Sequence, residues 1–194
     1  MRESRGIRWT GRERDWFGRR VTAIRPTRSA DLAIIQRIEL AAGDLFRIIG
    51  MDDIAGHPVP TIDVLADYQR AGRSWVAVDG SDQPIAFILV KLVDGAAHVE
   101  QVSVDPAHAH QRIGRDLIDH VENWATALDL RPALTLTTFR DVQWNGPYYE
   151  RLGFTVLAPS DRGPELTSLM ADEAAHGLDP AQRIAMLRPI HQAR

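Results

Sequence analysis

Residues 145–157 require a short helix to turn directly into a β-strand, and this requirement constrains the fold more than any other feature of the sequence. The helical part carries two adjacent tyrosines, Tyr148 and Tyr149, and breaks at Gly153. An apolar β-type run from Phe154 to Leu157 follows at once. Glycine suits such a helix end because it adopts a left-handed backbone without steric cost. Tyr149 lies about one turn before that glycine, so its phenol can point from the helix into a cleft.

The composition is that of an ordinary soluble globular protein. A chain of 194 residues, 44% hydrophobic and 25% charged, is long enough for one domain and short for two. No run approaches the roughly 18 apolar residues of a membrane span, and the N-terminus has no apolar signal region. The lack of cysteine excludes disulfides, a cysteine nucleophile and thiolate metal sites. We therefore expect a cytoplasmic protein with no metal and no membrane partner.

The net charge of −3 combines a basic N-terminus with an acidic remainder. Residues 1–20 hold seven arginines against three acidic residues, a charge of +4, which leaves −7 on the remaining residues. A basic arm can bind nucleic acid or a membrane surface. An isolated arginine cluster without a nucleic-acid-binding fold is weak evidence for either partner. We expect residues 1–20 to be a disordered extension, and we do not expect nucleic acid to be a partner.

Hydrophobic periodicity predicts an alternation of strands and helices from residue 21 onward. Helices are expected at residues 29–50, 61–72, 113–128 and 164–176, in addition to the helix with the two tyrosines. Strands are expected at residues 21–26, 74–78, 85–93, 97–104, 133–138, 154–157 and 183–190, with a loop at 51–60. This order implies an α+β domain at residues 21–194 with a single mixed β-sheet of about seven strands flanked by helices.

A second informative segment runs from Val102 to Arg115, where a strand ends at a loop that opens a helix. The unpaired N–H groups at a helix start, together with the helix dipole, form a site for an anion. A pyrophosphate is a natural ligand for such a site, and Arg112 and Arg115 add positive charge. Taken alone, the segment is equally consistent with an ordinary strand-to-helix turn.

Taken together, the segment from Val102 to Arg115 and the stretch Tyr149-Glu-Arg-Leu-Gly-Phe154 resemble the GCN5-related N-acetyltransferase (GNAT) family. The longer stretch from Thr137 to Tyr149 is similar to an uncharacterised bacterial subgroup with a Trp-Asn-x-Pro-Tyr/Phe-Tyr loop. The resemblance covers residues 21–157 well, and it implies the fold of this family with acetyl-CoA as cosubstrate.

The resemblance also assigns residues to the cosubstrate. Backbone groups of Val102, Ser103 and Val104 would bind the pantetheine arm and the acetyl carbonyl. The loop that would bind the pyrophosphate consists of Gln111, Arg112, Ile113, Gly114 and Arg115. Arg112 stands where the family has its first motif glycine, at a position where the backbone usually approaches phosphate closely. Asn145 resembles a family asparagine that contacts the pantetheine arm.

Acetyl transfer to an amine needs a base for the nucleophile and an acid for the departing thiolate. The resemblance implies that Tyr149 is the acid. Strand alternation predicts that His98, Glu100, Val102 and Val104 share one face, and residues matching the first two serve as base in related enzymes. We expect Glu100 to be the base with His98 as its partner. The alternative is a solvated strand end with a salt bridge.

The sequence therefore predicts an acetyl-CoA-dependent N-acetyltransferase that acetylates a primary amine by direct attack, with a small-molecule or amino-acid-like acceptor favoured. Two alternatives stay open. One is a catalytically silent acyl-CoA-binding module, which the altered glycine motif favours. The other is an acetyltransferase acting on a protein or an RNA-linked amine. The sequence does not predict the oligomeric state, and a homodimer stays open.

Overall fold

The computed structural model describes residues 23–190, so the basic arm at residues 1–20 lies outside the described residues. Within them, one sheet contains β1 Ala23–Pro26, β2 Ser74–Val78, β3 Pro84–Val93, β4 Ala96–Val104, β5 Ala133–Phe139, β6 Thr155–Val156 and β7 Arg183–Pro189. Their order across the sheet is β1-β2-β3-β4-β5-β7-β6. Neighbouring strands are antiparallel except β4 and β5, which are parallel. The predicted α+β fold with a single mixed seven-stranded sheet is confirmed.

The helices are α1 Leu32–Gly43, α2 Leu45–Ile48, α3 Asp52–Ala55, α4 Ile62–Arg70, α5 Ile113–Ala127, α6 Gly146–Arg151 and α7 Pro164–Ala175. Thr61 caps the start of α4: its hydroxyl accepts a hydrogen bond from the Val64 amide at 3.3 Å. Two sequence expectations need correction. The helix expected to reach Gly50 is interrupted at Asp44, just after Gly43, and the expected loop at 51–60 begins with the single turn α3.

Helices cover both faces of the sheet. On one face, Leu117 and Val121 of α5 pack in a core with Ile88 of β3 and Leu134 of β5. We call this the α5 face. On the other face, α1 and α4 pack in a second core against the intervening residues of β3. We call this the α1 face. This division allows each side chain of the central strands to be assigned to one face.

The start of α7 contacts the turn between β3 and β4, which lies 71 positions earlier in the chain. The Asp94 carboxylate accepts hydrogen bonds from the backbone amides of Glu165 at 3.0 Å and Leu166 at 3.1 Å. The Asp94 amide in turn donates to the Glu165 carboxylate. Gly163 leaves the necessary room, since a β-carbon there would lie 2.2 Å from the Asp94 carboxyl group. A carboxylate at a helix start satisfies free amides and complements the helix dipole, so Asp94 fixes α7 beside β3 and β4.

Candidate active site

The parallel strands β4 and β5 separate soon after they pair, and this opens the middle of the sheet. They pair at three positions only, from Ala97 with Leu134 to Val99 with Leu136. Beyond that point β4 continues to Val104 with β3 alone as its partner, and β5 continues with β7. The facing edges of β4 and β5 therefore carry backbone groups that no strand satisfies. We call the gap between them the central opening.

The backbone groups that face the central opening belong to Val102 and Val104. The amide of Asp105 donates to the carbonyl of Ile85 on β3, at 2.9 Å. Because hydrogen-bonded pairs alternate along an antiparallel ladder, Ser103 exchanges its backbone bonds with β3, and its two neighbours turn theirs toward β5. The two valines can offer donors and acceptors to a ligand. This corrects the expectation that Ser103 also offers backbone groups to the cosubstrate.

A β-bulge interrupts β4 at Glu100. Leu89 of β3 pairs with Gln101, whereas the next residue, Val90, pairs with Val99. Glu100 is thus an extra residue between two ladder positions. Such a bulge shifts the alternation of side chains by one residue for the rest of the strand.

The bulge moves the second half of β4 out of the predicted pattern. Val102 and Val104 pack on the α5 face, while Ser103 contacts Glu39 of α1 on the opposite face. The prediction that the even-numbered residues of 98–104 share one face is therefore wrong for the two valines.

His98 and Glu100, the two predicted base residues, do share the α1 face, and each has its own partner. The His98 side chain is fully buried, with Nδ1 2.9 Å from the Thr135 hydroxyl. The Glu100 carboxylate is partly exposed and lies 2.8 Å from the ammonium of Lys91, the residue that pairs with His98 across the ladder. Glu100 is the accessible member of the pair.

Burial lowers the pKa of His98 to about 4, and the positive charges of Lys91 and Arg183 act in the same direction. His98 is therefore neutral at physiological pH and a weak base. Its ordinary pKa is 6.5, so below that value the unfolded chain binds more protons than the folded one. The stability contributed by neutral His98 is complete above about pH 6.5 and is lost as the pH falls toward 4.

The lowered pKa of His98 predicts that the protein becomes less stable in acid. Because of His98, the free energy of unfolding should fall by about 2 kcal/mol between about pH 7.5 and pH 5. Urea unfolding at the two pH values measures the change. His98→Gln should remove this part of the pH dependence, whereas the control His176→Gln, at an exposed position just after α7, should retain it. Equal pH dependence in the wild type and in His98→Gln would contradict the shift.

Tyr149 lies on the α5 face together with the two valines of the central opening. Its ring packs edge-on against Phe154, with 5.8 Å between the ring centroids. Burial raises the pKa of the phenol above its ordinary value, and the positive charge of Arg183 only partly opposes this. The phenol therefore keeps its proton, as a general acid must. The helix that carries it ends as predicted, with Gly153 at φ +87°.

Tyr148 points in a different direction, toward the start of α5. A β-carbon built on Gly114 would lie 2.9 Å from the Tyr148 hydroxyl. Burial raises the pKa of Tyr148 to about 12, and the carboxylates of Asp116 and Asp119 contribute. The two adjacent tyrosines therefore serve different places, as the 100° step of a helix requires.

The start of α5 retains the backbone geometry of a glycine motif despite its arginine. Arg112 precedes the helix with φ +63°, a left-handed conformation that glycine adopts freely. Asp116 is the first residue whose amide bonds back to the Arg112 carbonyl, at 3.1 Å. The amides of Ile113, Gly114 and Arg115 precede it and have no partner within the helix. They form the set of donors expected for a pyrophosphate.

The side chains around this helix start are mostly exposed. Gln111 and Arg112 extend into solvent, and Arg115 lies 3.3 Å from Asp119, one helical turn ahead. At the start of α6, the carbonyl of Asn145 accepts the Tyr149 amide at 2.9 Å. The Asn145 side chain makes no capping bond to α6, so its amide group is not used by the helix.

A pocket of about 490 Å³ lies on the α1 face, between α7 and strands β3 and β4. Its ionisable lining is Glu100, Glu165, Asp172, Glu173, Lys91, His57 and His176. Lys91 and Arg183, which pairs with Glu173 at 2.8 Å, offset two of the four carboxylates. The remaining negative charge favours a cationic ligand. The sequence analysis did not assign α7 to the site. The only local signal was the spacing of its acidic residues at helical intervals.

Two kinds of feature are missing from residues 23–190. No group of three or more acidic or histidine side chains there could hold a metal ion. No helix in the same range combines the length and the apolar character needed to cross a bilayer.

The family model described as "Acetyltransferase (GNAT) family" matches residues 43–154, more than half of the chain. The chain belongs to this family. The bacterial subgroup suggested by the tryptophan-containing loop stays a prediction.

Among curated proteins, the chain is similar to the peptidyl-lysine N-acetyltransferase YjaB of Salmonella typhimurium, with 28% identity over 99 residues. The match covers 51% of this chain and 61% of that protein. The YjaB protein of Escherichia coli is 27% identical over the same length, with 60% of it covered. The chain thus spans about three fifths of the length of the curated relatives it matches.

Solved structures share the fold. The N-acetylglutamate synthase of Neisseria gonorrhoeae, complexed with coenzyme A and N-acetyl-glutamate, has a TM-score of 0.66 at 13% identity, covering 88% of this chain and 35% of that one. The ribosomal-protein-S18-alanine N-acetyltransferase of Escherichia coli has a TM-score of 0.61 at 18% identity, and the match covers 90% of this chain and 97% of that one. At these identities the likeness concerns the fold alone.

Proposed function

We propose that this protein is an acetyl-CoA-dependent N-acetyltransferase that transfers the acetyl group to a primary amine by direct attack, with residues 21–194 as the acetyltransferase domain. The observation that best supports this function is the central opening. Unpaired backbone groups of Val102 and Val104 line it, and Tyr149 lies on the α5 face beside them. From these positions, backbone groups can bind and polarise the thioester carbonyl, and Tyr149 can reach the leaving group.

The cosubstrate would extend from the start of α5 along β4. Amides of residues 113–115 bind the pyrophosphate, with Gln111 and Arg112 at its edge. The pantetheine arm follows the backbone of Val102 and Val104, and Asn145 reaches it from the start of α6. A backbone N–H on this edge stabilises the negative charge that develops on the thioester oxygen.

The incoming ammonium must lose one proton before attack and a second one after attack, and the departing thiolate must gain one. Glu100, at the pocket wall, takes the proton of the ammonium through a water molecule, with buried His98 behind it. The amine nitrogen then attacks the thioester carbon. As the carbon–sulfur bond breaks, Tyr149 protonates the thiolate.

The acceptor is a cationic primary amine. The acidic pocket beside α7 supports this choice, because an alkylammonium has a pKa of about 10.4 and is charged at neutral pH. A small-molecule or amino-acid-like amine satisfies this description, and so does a lysine side chain. The similarity to two peptidyl-lysine N-acetyltransferases favours a protein lysine as the second candidate.

The cosubstrate proposal predicts binding that depends on Gly114. Acetyl-CoA should raise the melting temperature of the wild type and release heat in calorimetry. Gly114→Ala should weaken binding about tenfold, because the added β-carbon displaces the Tyr148 hydroxyl from the start of α5. The control Gly80→Ala adds a β-carbon with no heavy atom within 4 Å and should bind normally.

Absence of both heat and stabilisation at saturating acetyl-CoA would contradict the proposed function. Turnover across a panel of small amines and lysine peptides tests the reaction itself. Binding without any turnover would favour the silent acyl-CoA-binding module.

A further inference from the structure

Amide formation from an ammonium releases two protons from the same nitrogen, and the proposed function accounts for only one. The first leaves before attack. After attack the nitrogen is again positively charged, and while it stays protonated the amine is a better leaving group than the thiolate. The second proton must therefore leave before the carbon–sulfur bond breaks. At that stage Tyr149 still holds its own proton, and Glu100 holds the first one. A further proton acceptor is needed beside the nitrogen.

A carboxylate on α1 lies at the required place. One oxygen of Glu39 is 2.6 Å from the Ser103 hydroxyl. Its two oxygens lie 2.9 Å and 3.1 Å from the side-chain amide of Gln101. Ser103 stands between the two valines whose backbones face the central opening, and its buried hydroxyl lies on the α1 face of β4.

The direction of the hydrogen bonds is fixed by the groups themselves. A carboxylate only accepts, so Ser103 donates to Glu39, and the Gln101 amide donates to both. The Ser103 oxygen then keeps a lone pair for one more donor. The approaching nitrogen, on the side of the central opening, is the donor that this arrangement can accept.

Within the described part of the chain, no cation neutralises Glu39. Among residues 23–190 it forms no salt bridge with a lysine, arginine or histidine. Burial raises the pKa of Glu39, although the hydrogen bonds from Ser103 and Gln101 act in the opposite direction. An incoming proton is therefore favoured. Holding this carboxylate charged costs stability, so packing alone does not account for it.

We propose that Ser103 takes the second proton from the acceptor nitrogen while its own hydroxyl proton passes to Glu39. One N–H bond breaks, one O–H bond forms at Ser103, and the former serine proton ends on Oε2 of Glu39. Both groups finish neutral. The nitrogen lone pair then drives expulsion of the thiolate, which Tyr149 protonates, and Glu39 later returns its proton to solvent. This inference rests on the proposed function.

The test uses Glu39→Gln, Ser103→Ala and the double variant in the full chain, with acetyl-CoA and the best amine found for the wild type. Each single variant should lose about 10²-fold in kcat, with KM and acetyl-CoA affinity nearly unchanged. The double variant should lose no more than either single one, because both changes break one relay. The control Glu150→Gln, at an exposed position on α6, should retain wild-type kcat.

Two readouts separate a relay from a structural role. The wild type should show a solvent deuterium isotope effect that arises from two protons, and both single variants should lose it. Glu39→Gln should also keep the wild-type melting temperature. A carboxyl group with a raised pKa stabilises the fold less in its charged form than in its protonated form, so replacing it with the neutral amide of glutamine should not lower the melting temperature at neutral pH.

Wild-type kcat and isotope effect in Glu39→Gln would overturn the relay, and so would a double-variant loss equal to the product of the single losses. In either case, acetylation of an amine by the wild-type protein would still support the proposed function. A wild type that binds acetyl-CoA but acetylates no amine would overturn the proposed function and the relay with it.

Discussion

Turnover by a Tyr149→Phe variant is expected to fall by about 10²- to 10⁴-fold, because the departing thiolate loses its proposed proton donor. The ring remains, so the edge-on packing with Phe154 and the melting temperature should be preserved. Affinity for acetyl-CoA should change little, since the substitution leaves the proposed pyrophosphate site at the start of α5 intact. Steady-state kinetics on the best amine and calorimetry with acetyl-CoA measure the two quantities.

Tyr148→Phe is the matched control for this prediction. It removes the same atom from the neighbouring residue, whose hydroxyl lies near Gly114. We expect its kcat to stay within a few-fold of the wild-type value, because the Tyr148 hydroxyl has no part in the proposed chemical step. Wild-type turnover in Tyr149→Phe would mean that the thiolate leaves unaided or takes its proton from another group.

Gly146→Ala is expected to have the largest effect on folding of any single methyl addition near the site. The new β-carbon would lie 2.2 Å from the Arg140 carbonyl oxygen and 3.1 Å from that of Phe139. Both contacts are with backbone, so the loop and the start of α6 must move. Overpacking of this kind typically costs about 1–3 kcal/mol, and occasionally more. Turnover should fall as well, because the displaced segment positions Asn145 and Tyr149.

Thermal unfolding and kinetics on the same preparations check this result. Gly43→Ala provides the control, because its β-carbon would meet no heavy atom within 4 Å at the end of α1. In a helix this change typically stabilises by up to about 1 kcal/mol. A Gly146→Ala protein with the stability of Gly43→Ala would contradict the close contact with Arg140.

Local signals in the sequence predicted the fold well. The Thr61 cap, the glycine that ends α6 and the apolar runs of the seven strands act through residues near in the chain. Such signals can be recognised within a short window of sequence, although tertiary packing supplies most of the stability of short helices and strands. The same holds for the start of α5, where a strand, a short loop and a helix were predicted in the correct order.

The bulge at Glu100 could not be predicted, because it depends on how β4 pairs with β3. Alternation gives the correct face up to Glu100 and the wrong face afterwards. Only the register shows that Val102 lies on the α5 face and Ser103 on the α1 face.

Contacts between residues far apart in the chain could not be predicted from the sequence either. Glu39 lies more than sixty positions before Ser103, and no pattern along the chain links them. Nothing in the sequence singles out Glu39 as the acidic residue of the first helix that β4 contacts. Burial of His98 was missed for a similar reason. Its strand could be predicted, whereas the neighbours that exclude water could not.

The cap that Asp94 provides for α7 has a consequence for how this protein can change over evolutionary time. The helix that walls the acidic pocket is fastened to a turn that belongs to neither the central opening nor the start of α5. Substitutions on its pocket-facing side can reshape what the pocket admits while Asp94 keeps the helix in place. Under the proposed function, the choice of acceptor and the binding of the acetyl donor thereby depend on separate parts of the fold, and a lineage can change one without rebuilding the other.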